Sequence, residues 1–288
     1  MPELPEVETV ARQLAPLLVG RVLRRIDVRD PRLDFARRRR ALGRTVREVT
    51  RRGKEVAIVL RGRRGAPGDC ELRCHLRMTG RLIWLATRET RATPRHVRAT
   101  LFFSGGRVVF DDPRRFGTLV VLPQGRPAEP PGLDPTTGAF TPPALVDLLQ
   151  GSRQELKPWL LRQDRLGGIG NIYASEILFA ARLHPRRAAG SLRSGDVRRL
   201  HAAVRSVLSR AIRHCGTTFS DFADARGRPG GFARLLAVYG REGLPCPVCG
   251  SAVRRIAQQG RSTFLCGPCQ GGDPAGTDVA TGSSGARQ

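Results

Sequence analysis

Four cysteines toward the end of the chain have the spacing of a metal site. Cys246-x2-Cys249 is followed sixteen residues later by Cys266-x2-Cys269, so each pair can offer two thiolates to one tetrahedral zinc ion. Residues 253–257 and 262–265 read as hairpin strands between the pairs, with Gln258-Gln259-Gly260 as the turn. Four protein ligands leave no open coordination position, so one Zn2+ with a structural role is expected. Zinc ribbons serve proteins of many functions, and the finger alone selects none of them.

The second chemical group is the N-terminus. Methionine before the small residue Pro2 is expected to be removed, leaving a secondary α-amine. Such an amine titrates near ~7.7–8 and is partly unprotonated at neutral pH. Its attack on a sugar C1′ gives an iminium ion that acidifies the C2′ hydrogens. Glu3 and Glu6 stand beside it as candidate proton carriers. Proline followed by acidic residues equally suits a plain helix start.

Three further groups suit a polyanion. Only Lys54 and Lys157 are lysines among fifty basic residues, which points to places where a compact ammonium fits and a planar guanidinium does not. Leu166-Gly167-Gly168-Ile169-Gly170-Asn171 is a glycine-rich turn feeding a helix, where free backbone N–H groups suit a phosphate and Asn171 would cap the helix or bind the phosphate. The same turn equally suits an ordinary link between helices. Arg114 and Phe116, at the tip of Asp111–Gly117, could wedge into a duplex, with Met78 as a third wedge. Each of these taken singly also fits surface or core filler.

The chain has 288 residues and a net charge of +25, so a nucleic acid is the expected partner. The N-terminus lacks the pattern of a secretory signal, and no apolar run reaches the ~18 residues that span a bilayer. A cytoplasmic, nucleoid-associated monomer with no membrane partner is expected. Seven cysteines, four of them clustered, fit a reducing compartment, with Cys70, Cys74 and Cys215 as small buried apolar residues.

The elements that must position these groups change character along the chain. Residues 5–18 read as a helix with one apolar face, and Pro16 predicts a kink or an earlier end. Eight short β segments follow at 22–28, 46–51, 56–60, 70–76, 82–85, 97–103, 108–110 and 118–122, the pattern of a β-sandwich or barrel. Residues 123–143 are rich in Pro and Gly and read as a linker. Helices are expected at 144–149, 155–163, 172–180 and 194–214, then a flexible stretch from 216 to 231, the cysteine module and a disordered tail.

Read together, the motifs resemble the bacterial formamidopyrimidine-DNA glycosylase (8-oxoguanine-DNA glycosylase) family. They are Met1–Val10, Arg52-Gly53-Lys54, His75–Gly80, Asp112–Gly117, Lys157–Leu161, Gly170–Glu176, Gly216-Thr217-Thr218 and the finger ending Cys269-Gln270. They run in order from residue 2 to about 270. The resemblance implies an α+β multidomain fold: an N-terminal β-sandwich with an N-terminal helix (2–125), a linker (126–143), a helix-two-turn-helix domain with a lesion-capping loop (144–235), a four-cysteine zinc finger (240–270) and a disordered tail (271–288).

It also implies a function and roles. Damaged double-stranded DNA would lie in the cleft between the domains, and oxidised purines would be excised in base-excision repair. Pro2 would be the Schiff-base nucleophile, Glu3 the acid at the deoxyribose ring, and Glu6 a support for that site. Lys54, Lys157 and Asn171 would contact phosphates near the extruded nucleotide, as would His75, His96 and Arg261. Met78, Arg114 and Phe116 would fill the gap, with Arg114 facing the orphaned cytosine. Residues 217–231 resemble the loop that closes over the flipped base. Leu4, Met78 and the Arg114–Phe116 loop favour purine lesions over the related enzymes of oxidised pyrimidines, and intact Pro2, Glu3 and Lys54 argue against a silent DNA binder. A zinc-ribbon transcription factor would leave the N-terminus and the β segments unexplained.

Overall fold

A computed structural model describes residues 1–33, 38–62, 68–87, 93–123, 132–219 and 222–271. Part of the arginine run at 37–40, part of the linker, residues 220–221 of the expected capping loop and the tail beyond 271 lie outside the described residues.

Helix α1 (Leu4–Leu18) buries Val7, Val10, Ala11, Leu14 and Leu18 along one face. It runs on through Pro16, because a proline in the last turn removes only one amide donor and its ring faces solvent. The Val19 amide still bonds Ala15 O at 3.0 Å.

Two four-stranded antiparallel sheets follow this helix in the chain. One has the order β1 (Leu23–Val28), β6 (Val97–Phe103), β7 (Gly106–Asp111), β5 (Arg81–Ala86). The other has the order β2 (Val46–Arg52), β3 (Glu55–Leu60), β4 (Cys70–His75), β8 (Thr118–Pro123). The eight expected β segments are therefore all strands of one sandwich, whose core holds Leu23, Val56, Ile58, Leu72, Leu101 and Phe110. Cys70 and Cys74 are buried in it, while Cys215 is only partly buried and has φ +58.

The helical layer consists of α2 (Pro142–Leu149), α3 (Leu156–Leu160), α4 (Asn171–Ala181) and α5 (Ser194–Arg213). Helix α2 begins two residues before the expected start, since the Thr141 hydroxyl accepts from Ala144 N and Pro142 suits the first turn. Helix α3 ends at Leu160 rather than 163. The Gln163 side chain there bonds Leu161 O, Ile169 O and Gly168 N, turning the chain into the glycine loop. Residues 132–141, read as linker, pack on this layer: Leu133 bridges to Leu166, and buried Phe140 stacks on His201 at 4.7 Å.

Hairpin β9 (Arg254–Gln258) and β10 (Arg261–Leu265), followed by the short α6 (Gly267–Gln270), form the finger. Gln258 belongs to the strand, which leaves Gln259 and Gly260, both at positive φ, as the turn.

The two main layers exchange residues. Leu4 of α1 lies in the core of the helical layer. Phe222 and Ala225, beyond α5, lie in the core of the sandwich. Trp84 N on edge strand β5 donates to Ala225 O at 3.0 Å, and Gln13 of α1 holds Ala225 N and Asp224.

Candidate active site and nucleic-acid interface

The seam between the layers is closed by two glutamates, Glu3 at the N-cap of α1 and Glu6 in its first turn. Glu3 is buried, and its carboxylate accepts from Gly170 N at 2.8 Å, Ile172 N at 2.9 Å and Tyr173 N at 3.3 Å. These are free amides at the start of α4, so Glu3 does for that helix what Asn171 was expected to do. Asn171 is the first helical residue and Gly170 precedes it as the cap. The glycine turn thus binds a carboxylate of its own chain instead of offering all its N–H groups to a ligand. A side chain at Gly168 (φ +95) would meet Leu4, and one at Gly170 would overlap Glu3.

Glu6 makes the second closure. It accepts from Glu3 N at 2.8 Å, Tyr173 Oη at 2.5 Å and Thr217 N at 2.6 Å. Burial raises the Glu3 carboxyl above its ordinary range, and the Lys54 charge opposes that rise. Burial and the neighbouring Glu3 push Glu6 up to about 7, against three donors that favour its charged form. Pro2 is buried beside this pair.

Cations face the carboxylates. Lys54 follows Gly53 (φ +58) in the β2–β3 turn, and burial lowers its pKa, while Glu3 pulls it up and Arg261 pulls it down. Lys157 of α3 donates to Ser262 O at 2.8 Å and Thr263 Oγ1 at 2.7 Å. Burial, then Arg261, brings it down to about 8. An ammonium has three protons, so one remains for a ligand. A cavity of about 230 Å³ between α3 and the finger hairpin is lined by Lys157, Arg162, Gln154 and Arg261. Asn171 Nδ2 bonds Ser262 O at 3.0 Å and so helps to fix the finger. Pro2, Glu3, Glu6, Lys54, Lys157, Asn171 and Arg261, far apart in sequence, meet at this seam.

A second group lies on the sandwich. His75, at the end of β4, accepts at Nδ1 from Arg77 N at 3.0 Å, which leaves the ring proton on Nε2. Burial and the charges of Arg77 and Lys54 bring it down to about 4, so it is a neutral donor. Met78 and Phe116, on two loops joined by the Thr79–Asp112 hydrogen bond, are 41% and 54% exposed. The Arg114 guanidinium lies 4.9 Å over the Phe116 ring. His96 is exposed beside this loop, and its carbonyl accepts from Asp112 N at 3.0 Å.

The four Sγ atoms of Cys246, Cys249, Cys266 and Cys269 lie within 4.8 Å of one another. Cys246–Cys269 are 3.8 Å apart and Cys249–Cys266 are 3.4 Å apart. Zn–S bonds of about 2.3 Å in a tetrahedron put sulfurs about 3.8 Å apart, so the donor set fits zinc. Among the described residues, no helix is long and apolar enough to cross a membrane.

Two further residues, Tyr173 and Glu176, support the site from within the Gly170–Glu176 motif. Tyr173 joins Glu6 to Thr217, whose Oγ1 it meets at 3.0 Å. Glu176 accepts from the amides of Ala237, Val238 and Tyr239, holding the approach to the finger. A buried acid inside an apolar helix is the signal that marks Glu176.

Comparison with known proteins accords with this arrangement. The family model for the formamidopyrimidine-DNA glycosylase N-terminal domain matches residues 1–119, that for the H2TH domain of the same glycosylases matches 132–223, and that for a zinc finger found in FPG and IleRS matches 243–271. The formamidopyrimidine-DNA glycosylase of Thermus thermophilus is 45% identical over 95% of this chain and 100% of its own. The crystal structure of the MutM (Fpg) protein from Thermus thermophilus is similar with a TM-score of 0.83 and 44% identity, covering 95% of this chain and all of that one. A mutant Lactococcus lactis Fpg in complex with Fapy-dG-containing DNA has a TM-score of 0.80 at 30% identity, covering 94% of this chain and 100% of that one.

Proposed function

Because the chain belongs to the formamidopyrimidine-DNA glycosylase family, we propose that it excises oxidised purines, 8-oxoguanine and formamidopyrimidines, from duplex DNA through Pro2 and then cleaves the abasic strand. The observation that carries this reading is the buried Glu3–Glu6 pair beside Pro2, faced by Lys54 and lying where two layers meet.

The reaction begins when Met1 has been excised. The lone pair of the Pro2 nitrogen attacks C1′ of an extruded nucleotide, since C1′ and the base edge are out of reach within the stack. The bond from C1′ to the base breaks, and the base leaves with its electron pair and the proton that the Pro2 nitrogen gives up on attack. Glu3, whose hold on a proton is strengthened by burial, gives a proton to the ring oxygen O4′ as the C1′–O4′ bond opens, leaving an iminium between Pro2 and C1′. Loss of a C2′ proton then expels the 3′ phosphate, and a second elimination expels the 5′ phosphate. Glu6 holds the Glu3 amide and so fixes the acid beside the amine.

The other residues bind. Lys54, Lys157, Asn171, Arg261 and the neutral His75 would hold phosphates, with His96 a further backbone contact. Met78, Arg114 and Phe116 would fill the vacated space. One zinc would be structural, since the finger positions Arg261 and receives Lys157 on its β10 strand. We take 2–125, 144–235 and 240–270 as the units of a monomer that works on nucleoid DNA.

Borohydride trapping on a duplex carrying 8-oxoguanine opposite cytosine tests this, with mass mapping of the linked peptide. An adduct on a peptide beginning at Pro2 is expected, and Pro2→Gly should keep duplex binding while weakening trapping and excision. An unchanged adduct in Pro2→Gly would remove Pro2 as nucleophile. Zinc-loaded protein that binds the duplex without trapping, yet acts on 5-hydroxyuracil, would move the reading to pyrimidine lesions.

A further inference from the structure

Arg114 and Arg115 are adjacent in sequence but engage opposite sides of their loop. Arg114 is exposed and stacks on Phe116. Arg115 has φ +60, a left-handed conformation that a residue with a Cβ rarely adopts. Its guanidinium turns back to the end of β1, where both carboxylate oxygens of Asp30 receive it, Oδ2 from Nε at 2.9 Å and Oδ1 from Nη2. Asp30 is buried, and its Oδ2 also accepts from Arg98 Nε at 2.7 Å.

Arg98 continues beneath the loop. Its Nη1 donates to Gly117 O at 2.5 Å and to Asp112 Oδ2 at 3.3 Å. Asp112 accepts from Gly117 N at 2.8 Å and from the Thr79 hydroxyl. Thr79 Oγ1 in turn receives Arg114 N at 3.4 Å. One chain of bonds, buried at Asp30, Arg98 and Asp112, therefore grips the loop in its middle, through the exposed Arg115, and at its far end, through Gly117. The same chain reaches the turn that carries Met78. Bidentate pairs of this kind fix geometry more firmly than single contacts do.

We infer that Asp30, acting through Arg115 and Arg98, is a positioning residue that sets the Arg114–Phe116 wedge against the strand opposite the lesion, and that Arg115 itself does not read DNA. This rests on the wedge role proposed above for Arg114.

The test compares Asp30→Asn, Arg115→Met, Arg114→Ala and the double variant Arg114→Ala/Arg115→Met. It uses single-turnover excision of 8-oxoguanine opposite cytosine and opposite adenine, the salt dependence of duplex binding, and cleavage of a single-stranded abasic oligonucleotide. Arg115→Met and Asp30→Asn should each lower the cytosine preference by about tenfold, within the worth of one bidentate base contact. The double variant should be no worse than Arg114→Ala, and in Arg115→Met and Asp30→Asn the salt slope should be unchanged and single-strand cleavage should persist. Additive losses, or a salt slope smaller by about one, would mean that Arg115 touches a phosphate, and the inference would fall. A normal preference in Arg115→Met beside a lost one in Arg114→Ala overturns the inference alone, whereas a normal preference in Arg114→Ala overturns the wedge reading with it. If Asp30→Asn fails to fold, Arg115→Met, which leaves the Asp30–Arg98 pair intact, decides.

Discussion

Oε2 of Glu3 lies 2.8 Å from the amide of Gly170, so the residue that opens α1 also closes the start of α4 in the facing layer. A methyl at Gly170 would overlap that carboxylate. Gly170→Ala should therefore displace Glu3 and slow base excision by about 10²–10⁴-fold, the usual worth of a positioned acid. Single-turnover rates beside a thermal melt check this. A folded variant with normal excision would mean that the acid is not held here.

Tyr173→Phe removes one of the donors that hold the Glu6 pKa down. That pKa should then rise beyond about 7, and the acid-side limb of the excision profile should move to higher pH. In the unfolded chain Glu6 titrates near 4.5. The stability gained from its folded-state proton is thus full below that value and lost as pH rises through about 7. The variant should extend this loss to higher pH in melts recorded from pH 5 to 9.

Lys157 titrates near 8 in the free protein. A phosphate on its spare proton raises that value, so DNA binding above pH 8 should take up a proton and weaken as pH climbs. Calorimetry in buffers of different ionisation enthalpy should register the uptake, and Lys157→Arg should abolish its share, because arginine stays charged throughout.

Removal of zinc with a chelator, or Cys266→Ser, should unfold the β9–β10 hairpin. Lys157 and Asn171 would then lose Ser262 and Thr263 as partners. Duplex affinity should fall by at least about tenfold and recover when zinc is restored to the chelated protein, with metal content measured in parallel. Full affinity in metal-free protein would exclude a structural role.

Local order was legible in the sequence wherever one strong signal acted alone. The apolar spacing from Val7 to Leu18 yields α1, and the cysteine spacing yields the finger. Partnerships across the seam were not legible, because hydrogen bonds between residues about 170 apart leave no periodicity. Asn171 looked like the cap of α4, whereas the cap comes from Glu3. Residues 132–141 looked like linker because Pro and Gly mask the anchors Leu133 and Phe140, the second buried on α5 through His201. Arg114 and Arg115 are alike as letters, and only the position of Asp30 separates them.

The bond from Trp84 to Ala225 has a consequence during synthesis. Strand β5 is an outer strand of its sheet, and an outer strand with open amides invites pairing with another molecule. Part of its rim is covered by a segment made some 140 residues later, long after the eight strands have left the ribosome. Until then the nascent sandwich carries a sticky margin and lacks Phe222 in its interior. A fragment ending at residue 125 should therefore self-associate, and chaperone demand should be greatest in the interval before residue 225 emerges.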